Sequence, residues 1–405
     1  MGVTHEAEAL HMNPTAEEPT TSQSKALPDF NRRSFLGLSA GAALAATAGS
    51  SILSGCSSSS SSSGSGEVVV MGWTNYVDPE IQKRFEAKTG IKMRAVTGQS
   101  DQDMFTKLKA GGGSQYDIVF ANCGFCPTYY KNGLTEALDL TQISIAGDLA
   151  PIFKENTDFP YVIEKNKTLL YPSMWAAFGL VWNTKYFNPT SPVSWNDLWD
   201  PKIPKGKTIV QGAGDDFLSL AGLANGVARK DIYSMSGATL EAAVQRLIQL
   251  KPFQISESSD QVTADAVRTG KAYAGQATSL GLAYRINQKA GNEVAKIELP
   301  KEGALGWVDG PQLVKGAKNR DNAIKFIEFL LGDADMQDWL WKANVYGMAS
   351  KVSSDRIIAG GTAMNADVYT SLGGDHPELA TTLVFQGPPD NPAEWAAAYD
   401  KVLAA

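Results

Sequence analysis

The sequence has little of what metal centres and nucleophilic active sites require. Among its 405 residues there are three cysteines and three histidines. His5 and His11 lie in an amino-terminal segment that is predicted to be removed, which leaves His376 in a loop-like stretch with glycine and proline. A site with several histidine ligands is therefore excluded, and a Ser-His-Asp triad would depend on that single histidine. The sequence predicts no metal ligands, no cofactor site and no catalytic residues.

Basic clusters and phosphate-binding loops are missing as well. The formal net charge is −7, the isoelectric point is about 5.2, and lysine and arginine form no block or stripe. Nucleic acid is not an expected partner, because binding it depends on neutralising phosphates. No Gly-x-x-x-x-Gly-Lys-Ser/Thr motif occurs, so nucleotide hydrolysis through a P-loop is excluded. The remaining composition, with 43% hydrophobic residues, is that of an ordinary globular protein.

The amino terminus predicts export and a lipid anchor. Residues 1–55 have the pattern of a signal peptide, because the twin-arginine pair Arg32-Arg33 precedes a weakly apolar Ala/Gly-rich run. The run ends in Leu-Ser-Gly-Cys, a lipobox in which Cys56 would receive diacylglycerol. Serine and glycine dominate the lipidated tether 56–66, which has nothing to bury. The sequence therefore predicts a lipoprotein anchored to the extracytoplasmic face of the cell membrane, in the periplasm or at the cell surface.

The chain after the tether begins with alternating strands and helices. Strands are predicted at 67–73, 91–96 and 116–121, with helices at 78–88 and 100–110 between them. The first helix has proline at its first position and glycine just past its end, and the second begins with a capping-box serine. This alternation predicts a parallel sheet, whose ligands lie outside the carboxyl ends of the strands.

Two loops are therefore expected to face a ligand cleft. The first loop follows the first strand and contains Trp73, Asn75 and Tyr76. The second loop follows the third strand and begins with Asn122. Both loops leave the carboxyl edge of the predicted sheet, so their side chains are expected to lie close together.

The second loop also contains a Cys-x-x-Cys pair, Cys123 and Cys126. A helix N-terminus stabilises a thiolate, so one hypothesis is a dithiol that does redox chemistry. Outside the cytoplasm, a disulfide that makes the loop rigid is the simpler interpretation, and a free thiol pair is the third.

Five segments of the chain resemble one protein family. In order, they are VVVMGWTNYVDPEIQKRFEAKTGIKM, MFTKLKAGGGSQYDIVFAN, SWNDLWDPKIPKGK, LPKEGALGWVDG and AIKFIEFLL. Their order and spacing are similar to those of the solute-binding proteins of spermidine/putrescine-type ABC importers. The resemblance implies an α/β, two-lobed fold of the periplasmic-binding-protein class. Each lobe would be a mainly parallel sheet flanked by helices, with the ligand in the cleft between the lobes.

The resemblance also implies domain boundaries and partners. Residues 67–174 and 310–350 would form lobe 1, 175–309 would form lobe 2, and 351–405 would pack across both lobes. The protein would be a monomer that delivers its ligand to an ABC permease and its ATPase.

Trp307 and Asp309 are the best-matched pair for ligand binding. In an extended segment they point to the same side, which places an aromatic face beside a carboxylate. That combination suits an ammonium group, which gains from the ring quadrupole and from a charged hydrogen bond. The resemblance implies that both residues line the site, that Trp73 and Tyr76 add aromatic walls, and that Gln386 helps to fix a far amine.

The chain departs from the family's pattern in the second lobe. A strict alignment places Ala213 and Asp216 where the family has an acidic pair, and Thr278 where it has an aromatic residue. Asp215 or Asp216 could also serve only as the N-cap of the next helix. In the third-strand loop, Asn122 stands among positions where the family has hydroxyl and aromatic groups.

The interpretation from sequence is a substrate-binding lipoprotein of an ABC importer, not an enzyme, which captures a small cationic, polyamine-like amine. One alternative is an extracytoplasmic thiol-disulfide oxidoreductase that uses Cys123 and Cys126. Another is a binding protein of the same fold for thiamine, an aminophosphonate or ferric ion. Tyr129-Tyr130 resembles the tyrosine pairs of ferric-ion binders, but one ring is expected to be buried and the other exposed.

Overall fold

The structure is a computed structural model that describes residues 66–405 except 213, 252 and 253. The predicted signal peptide 1–55, Cys56 and nearly all of the tether lie outside the described residues. The described residues fall within a single compact unit. Within them, none of the helices is long and apolar enough to cross a bilayer.

The described strands and helices alternate along most of the chain. The strands are β1 (Glu67–Gly72), β2 (Lys92–Thr97), β3 (Ile118–Asn122), β4 (Leu138–Asp139), β5 (Val162–Glu164), β6 (Lys167–Thr168), β7 (Met174–Ala177), β8 (Gly179–Asn183), β9 (Thr208–Gln211), β10 (Gln254–Ser258), β11 (Ala274–Ala277), β12 (Ala295–Glu298), β13 (Leu305–Leu313), β14 (Gly347–Met348) and β15 (Val384–Phe385). The helices are α1 (Pro79–Thr89), α2 (Asp101–Gly111), α3 (Cys126–Lys131), α4 (Ile152–Glu155), α5 (Gly214–Ala224), α6 (Gly237–Leu250), α7 (Asp260–Thr269), α8 (Leu282–Ala290), α9 (Arg320–Gly332), α10 (Ala334–Asn344), α11 (Lys351–Ala359), α12 (Ala366–Ser371) and α13 (Pro392–Ala404).

The predicted helix ends near the amino terminus are confirmed. Asp78 caps α1 by accepting a hydrogen bond from the backbone N–H of Glu80 at 2.8 Å. The helix ends at Gly90, whose φ of 72° is the left-handed conformation that glycine adopts without strain. Ser100 caps α2 by accepting from the backbone N–H of Asp103 at 3.1 Å. These caps fix where the chain enters α1 after β1 and α2 after β2, and so position the loops that follow these two strands at the edge of the sheet.

The first sheet contains seven of the described strands, in the order β14-β7-β13-β3-β1-β2, with β15 paired to β13. The predicted parallel pairing is confirmed for β1 with β2 and with β3. β13 runs antiparallel between β3 and β7. Because β13 passes the carboxyl end of β3, residues from a distant part of the sequence reach the same edge as the predicted loops.

The second sheet contains five of the described strands, in the order β10-β9-β11-β8-β12. β9 is parallel to β10 and β11, whereas β8 is antiparallel to β11 and β12. The two sheets are the centres of the two lobes of the predicted α/β fold. One hydrophobic core cluster includes residues from both sheets, and a smaller one packs α7 and α8 on the second.

The chain passes from the first sheet to the second between β7 and β8, at residue 178. It returns to the first sheet between β12 and β13. The predicted lobe boundaries at 174/175 and 309/310 fall inside β7 and β13. These two strands pair with each other within the first sheet. The carboxyl-terminal segment contacts elements of both lobes, because β15 pairs with β13 and α13 packs on α5 and α6.

Candidate functional site

Residues from five separate segments form a hydrogen-bonded group that we call the polar cluster: Tyr76, Asn122, Asp216, Asp309 and Gln386. The Tyr76 hydroxyl donates to Oδ2 of Asp309 at 3.1 Å. Asn122 Nδ2 donates to Asp309 Oδ1 at 3.4 Å and to Gln386 Oε1 at 2.8 Å. Gln386 Nε2 in turn donates to Asp216 Oδ1 at 2.6 Å. The polar cluster therefore joins the first lobe to the start of α5 in the second.

The register of β13 explains why Asp309 lies in the polar cluster. Asp309 is directly opposite Asn122 in the antiparallel pair of β13 and β3. The next residue, Gly310, packs against the backbone of Tyr171. A Cβ atom at position 310 would lie 1.9 Å from the carbonyl oxygen of Tyr171. A side chain at 310 would push β13 away, so glycine is required for the approach that places Asp309.

Trp307 and Tyr346 form an aromatic wall beside the polar cluster. The Trp307 indole N–H donates to the carbonyl oxygen of Thr278 in the second lobe at 2.8 Å. The rings of Trp307 and Tyr346 meet edge to face, with centroids 4.8 Å apart. Trp307 therefore lies where the two lobes meet, as the resemblance implies. Tyr346 was missed by the sequence analysis, because it stands alone between α10 and the two-residue strand β14.

Trp73 and Asn75 lie next to Tyr76 of the polar cluster, whose backbone N–H donates to the carbonyl oxygen of Trp73 at 2.9 Å. The Trp73 ring is half-buried and tilted against Tyr76, with centroids 6.1 Å apart. Asn75 Nδ2 donates to Asn344 Oδ1 at 3.1 Å, so this amide is oriented toward α10. Tyr76 itself stacks on Phe120, which fixes the direction of its hydroxyl.

The acidic residues of the second lobe have distinct environments. Asp216 is buried in the first turn of α5 and bonded to Gln386, whereas Asp215 is exposed. Because α5 begins at Gly214, both residues lie inside the helix rather than before it. Ala213, the other aligned position, lies outside the described residues. The structure thus brings one acidic residue of this lobe, Asp216, to the polar cluster.

Asp101 is a third carboxyl group near the polar cluster, and the sequence analysis missed it. The pattern there predicted only the cap of α2, but Asp101 Oδ1 accepts a hydrogen bond from the backbone N–H of Asn122 at 3.4 Å. Burial raises the pKa of Asp101 to about 7, and the nearby charge of Asp216 adds to this. Its signal in the sequence was an acidic residue just after β2, a strand whose carboxyl end lies at the same edge of the sheet as those of β1 and β3.

The carboxyl group of Asp309 is held in an environment that disfavours its charge. Burial raises the pKa of Asp309 well above the usual range, and the charge of Asp101 raises it further. Hydrogen bonds from Tyr76 and Asn122 oppose the rise. None of these effects comes from a lysine or arginine, so a cation entering this space would relieve the repulsion between the carboxylates.

A cavity lies at the segment that carries Gln386. A cavity of about 740 Å³ is lined by Tyr233, Phe159, Phe385 and Gly387, among others. Phe385 and Gly387 flank Gln386 in the chain, but neither Gln386 nor any other residue of the polar cluster lines the cavity, and its lining includes Arg229 and Lys230. The cavity is therefore separate from the hydrogen bonds of the polar cluster, and the candidate site is defined by the polar cluster and the aromatic wall.

The predicted disulfide between Cys123 and Cys126 is absent, and both residues are free, buried thiols. Cys126 Sγ donates to the backbone carbonyl of Cys123 at 3.2 Å, while Cys123 Sγ accepts from the backbone N–H of Val308 at 3.4 Å. Each sulfur thus has its own partner in the packed interior. Burial raises the pKa of both thiols, which opposes the thiolate that an oxidoreductase needs.

The tyrosine pair shows the expected division between a buried and an exposed ring. Tyr129 is fully buried and its hydroxyl donates to the carbonyl oxygen of Asp101, whereas Tyr130 is 42% exposed. In the part of the chain that the structure describes, no three His, Cys, Asp or Glu side chains are grouped to hold a metal ion.

A family model for bacterial extracellular solute-binding proteins matches residues 80–365. The chain belongs to this family. The family is one of solute-binding proteins rather than of enzymes.

Individual relatives and solved structures are similar to this solute-binding protein. The spermidine/putrescine-binding periplasmic protein of Escherichia coli (strain K12) is 29% identical over 262 residues, covering 64% of this chain and 71% of the relative. The putrescine-binding periplasmic protein PotF of the same organism is 24% identical over 308 residues, covering 71% and 80%. Such proteins are periplasmic, which supports an extracytoplasmic location for this one.

Solved structures show the same fold. The spermidine/putrescine ABC transporter substrate-binding protein PotD of Streptococcus pneumoniae is 22% identical, with a TM-score of 0.66, covering 84% of this chain and 98% of that one. A putative spermidine/putrescine ABC transporter protein of Listeria monocytogenes gives a TM-score of 0.69 at 22% identity, again covering 84% and 98%. These similarities confirm the predicted two-lobed fold.

Proposed function

We propose that this protein captures a small cationic amine between its two lobes and delivers it to the permease and ATPase of an ABC importer. One observation carries the proposal: the carboxyl groups of Asp309, Asp216 and Asp101 are grouped beside the aromatic wall. No lysine or arginine is among the main causes of the raised pKa of Asp101 or of Asp309. An ammonium group bound there gains a charged hydrogen bond and contact with the Trp307 ring.

The relatives support this assignment. Of the two curated relatives described above, one is named for binding spermidine/putrescine and the other for binding putrescine, and the two solved structures described above are named for spermidine/putrescine ABC transporters. Trp73, Tyr76, Asn122, Trp307 and Asp309 would line the ligand site. Gln386 and Asp216 would complete the site, because Gln386 is bonded to Asn122 and to Asp216 of the second lobe.

The amine assignment is tested by titration calorimetry on protein lacking residues 1–56. Putrescine, spermidine, simple monoamines, betaine-like cations and thiamine are the cationic probes, and succinate is the anionic one. At least one amine should bind, and succinate should not. A best ligand without a positive charge would overturn the proposal and leave the fold unaffected.

The anchor is a further part of the proposed function. Cleavage before Cys56 and lipidation of its thiol would hold a monomeric binding protein on the extracytoplasmic face of the membrane. A protein of similar fold from Treponema pallidum is described as a lipoprotein. Residues 56–66 would then act as a flexible tether that lets the two lobes reach the permease.

Replacing Cys56 by alanine should release the protein from the membrane, because the thiol that accepts the lipid is lost. Cell fractionation with an antibody against the folded domain measures the change. Cys123→Ala is the matched control, since Cys123 is buried in the first lobe, and it should leave the protein on the membrane. A Cys56→Ala protein that stays membrane-bound would contradict the anchor.

A further inference from the structure

A partly buried ion pair stands on the other side of the aromatic wall from the polar cluster. Arg285, on α8, donates from Nη2 to Asp260, the first residue of α7. Asp260 also accepts from the amide of Gln211 and, at 2.7 Å, from the hydroxyl of Thr278. These contacts fix the carboxylate of Asp260, and Asp260 in turn fixes the guanidinium of Arg285 in the second lobe.

A continuous series of contacts connects this ion pair to the ligand-binding residues. The guanidinium carbon of Arg285 lies 5.7 Å from the centre of the Tyr346 ring. Tyr346 contacts Trp307, and Trp307 bonds to the backbone of Thr278, which contacts Asp260. In this series the aromatic wall has carboxyl groups of the polar cluster at one end. At the other end it has the ion pair of Arg285 and Asp260.

The guanidinium of Arg285 retains capacity to bind an anion. The guanidinium is bonded to Asp260 and to Tyr346, and its Nε is buried without a partner in the described part of the chain. The exposed 29% of the side chain is the part that a ligand could reach. Arg246 and Arg268 also have a buried Nε without a partner among the described residues, so this feature alone does not mark a site. Arg285 differs from them because it lies against Tyr346 and thus next to the ligand-binding wall.

We propose that Arg285 selects the ligand's second functional group, and that the ligand is an ω-amino acid with an ammonium at one end and a carboxylate at the other. This inference rests on the proposed function, which assigns the ammonium to the polar cluster. The methylene chain would lie along Trp307 and Tyr346, and the carboxylate would accept from Arg285. A diamine would instead place its second ammonium beside the guanidinium, which repels it, while the nearby Asp260 carboxylate already accepts from Arg285, Gln211 and Thr278.

Three four-carbon amines that differ only at the far end test this selection: 4-aminobutanoate, butylamine and putrescine. Titration calorimetry on protein lacking residues 1–56 should give 4-aminobutanoate the highest affinity, about tenfold or more above putrescine. Arg285→Gln should lower the ratio of these two affinities by about ten- to a hundredfold, with butylamine almost unchanged.

Arg268→Gln is the matched control. Arg268 is on α7, is also 29% exposed and pairs with Asp265 at 3.0 Å, a contact on α7 itself rather than with the aromatic wall. It should leave all three affinities unchanged. Arg285→Lys should retain part of the preference for the carboxylate, since it keeps the charge but loses the planar donors.

Asp309→Asn separates the two levels of the proposal. If the amines bind in an Asp309-dependent way but putrescine exceeds 4-aminobutanoate, and Arg285→Gln leaves the ratio unchanged, then the ω-amino-acid inference is wrong and the proposed function stands. If Asp309→Asn leaves all amine affinities unchanged, the proposed function itself fails.

Discussion

Asp309→Asn should weaken binding of the best amine by about ten- to a hundredfold. The substitution keeps the size of the side chain and its acceptance of the Tyr76 hydroxyl, but it removes the negative charge. A hydrogen bond to a charged group contributes roughly 1.5–3 kcal/mol, and each 1.4 kcal/mol is tenfold in affinity. The expected loss appears in titration calorimetry as a higher dissociation constant with unchanged stoichiometry.

The fold should not suffer from this substitution. Burial and the charge of Asp101 disfavour the ionised form of Asp309, so a neutral amide in its place is expected to be tolerated in the absence of ligand. Asp338→Asn is the control, because Asp338 pairs with Arg356 on a helix face remote from the aromatic wall. Equal affinity in the wild type and Asp309→Asn proteins would remove Asp309 from the binding mechanism.

Local patterns in the sequence were enough to predict the parts of the fold that depend on them. Helix caps such as Asp78 and Gly90 act within a few residues, and the alternation of strands and helices implies a parallel sheet whose carboxyl edge carries the loops. Trp73, Tyr76 and Asn122 could therefore be assigned to one edge of the sheet from the strand and helix pattern. Trp307 and Asp309 followed from the two-residue period of a strand and from the resemblance.

The parts that were missed depend on long-range packing. Tyr346 and Arg285 meet only because α8 of one lobe packs against the segment before β14 of the other, and no local pattern encodes that contact. Asp101 follows the helix cap Ser100, and acidic residues are common in the first turn of a helix. Its presence there therefore gave no reason to expect a role in a site. The spacing of Cys123 and Cys126 permits a disulfide but does not orient the sulfurs, and packing turns them toward backbone groups instead.

The carboxyl groups around the polar cluster also predict how binding depends on pH. Burial raises the pKa of Asp101 to about 7, and the charged groups that act on it include the carboxylate of Asp216. A bound ammonium stabilises the ionised carboxylate, so the pKa of Asp101 falls when ligand binds. Protons are then released on binding, and affinity increases as the pH rises through about 7.

Affinity for an amine should therefore decrease by up to about tenfold per pH unit as the pH falls from 7 to 5. Asp101→Asn should flatten this part of the profile, leaving the dependence that comes from Asp309. Calorimetry at several pH values, in buffers of different ionisation enthalpy, measures both the affinity and the protons released. Asp101→Asn protein with an unaltered profile would contradict this assignment.

Two control variants exclude other sources of the pH dependence. Asp103→Asn removes a neighbouring carboxylate of α2 that pairs with Lys107 at the surface, and it should keep the wild-type profile. His376→Gln removes a histidine whose pKa is raised by its hydrogen bond with Glu378 and by the charge of Asp375. His376 is exposed, and its ion pairs are with those two residues rather than with the polar cluster. Its loss should also leave the profile unchanged, so that a pH response near neutrality can be assigned to the carboxyl group of Asp101.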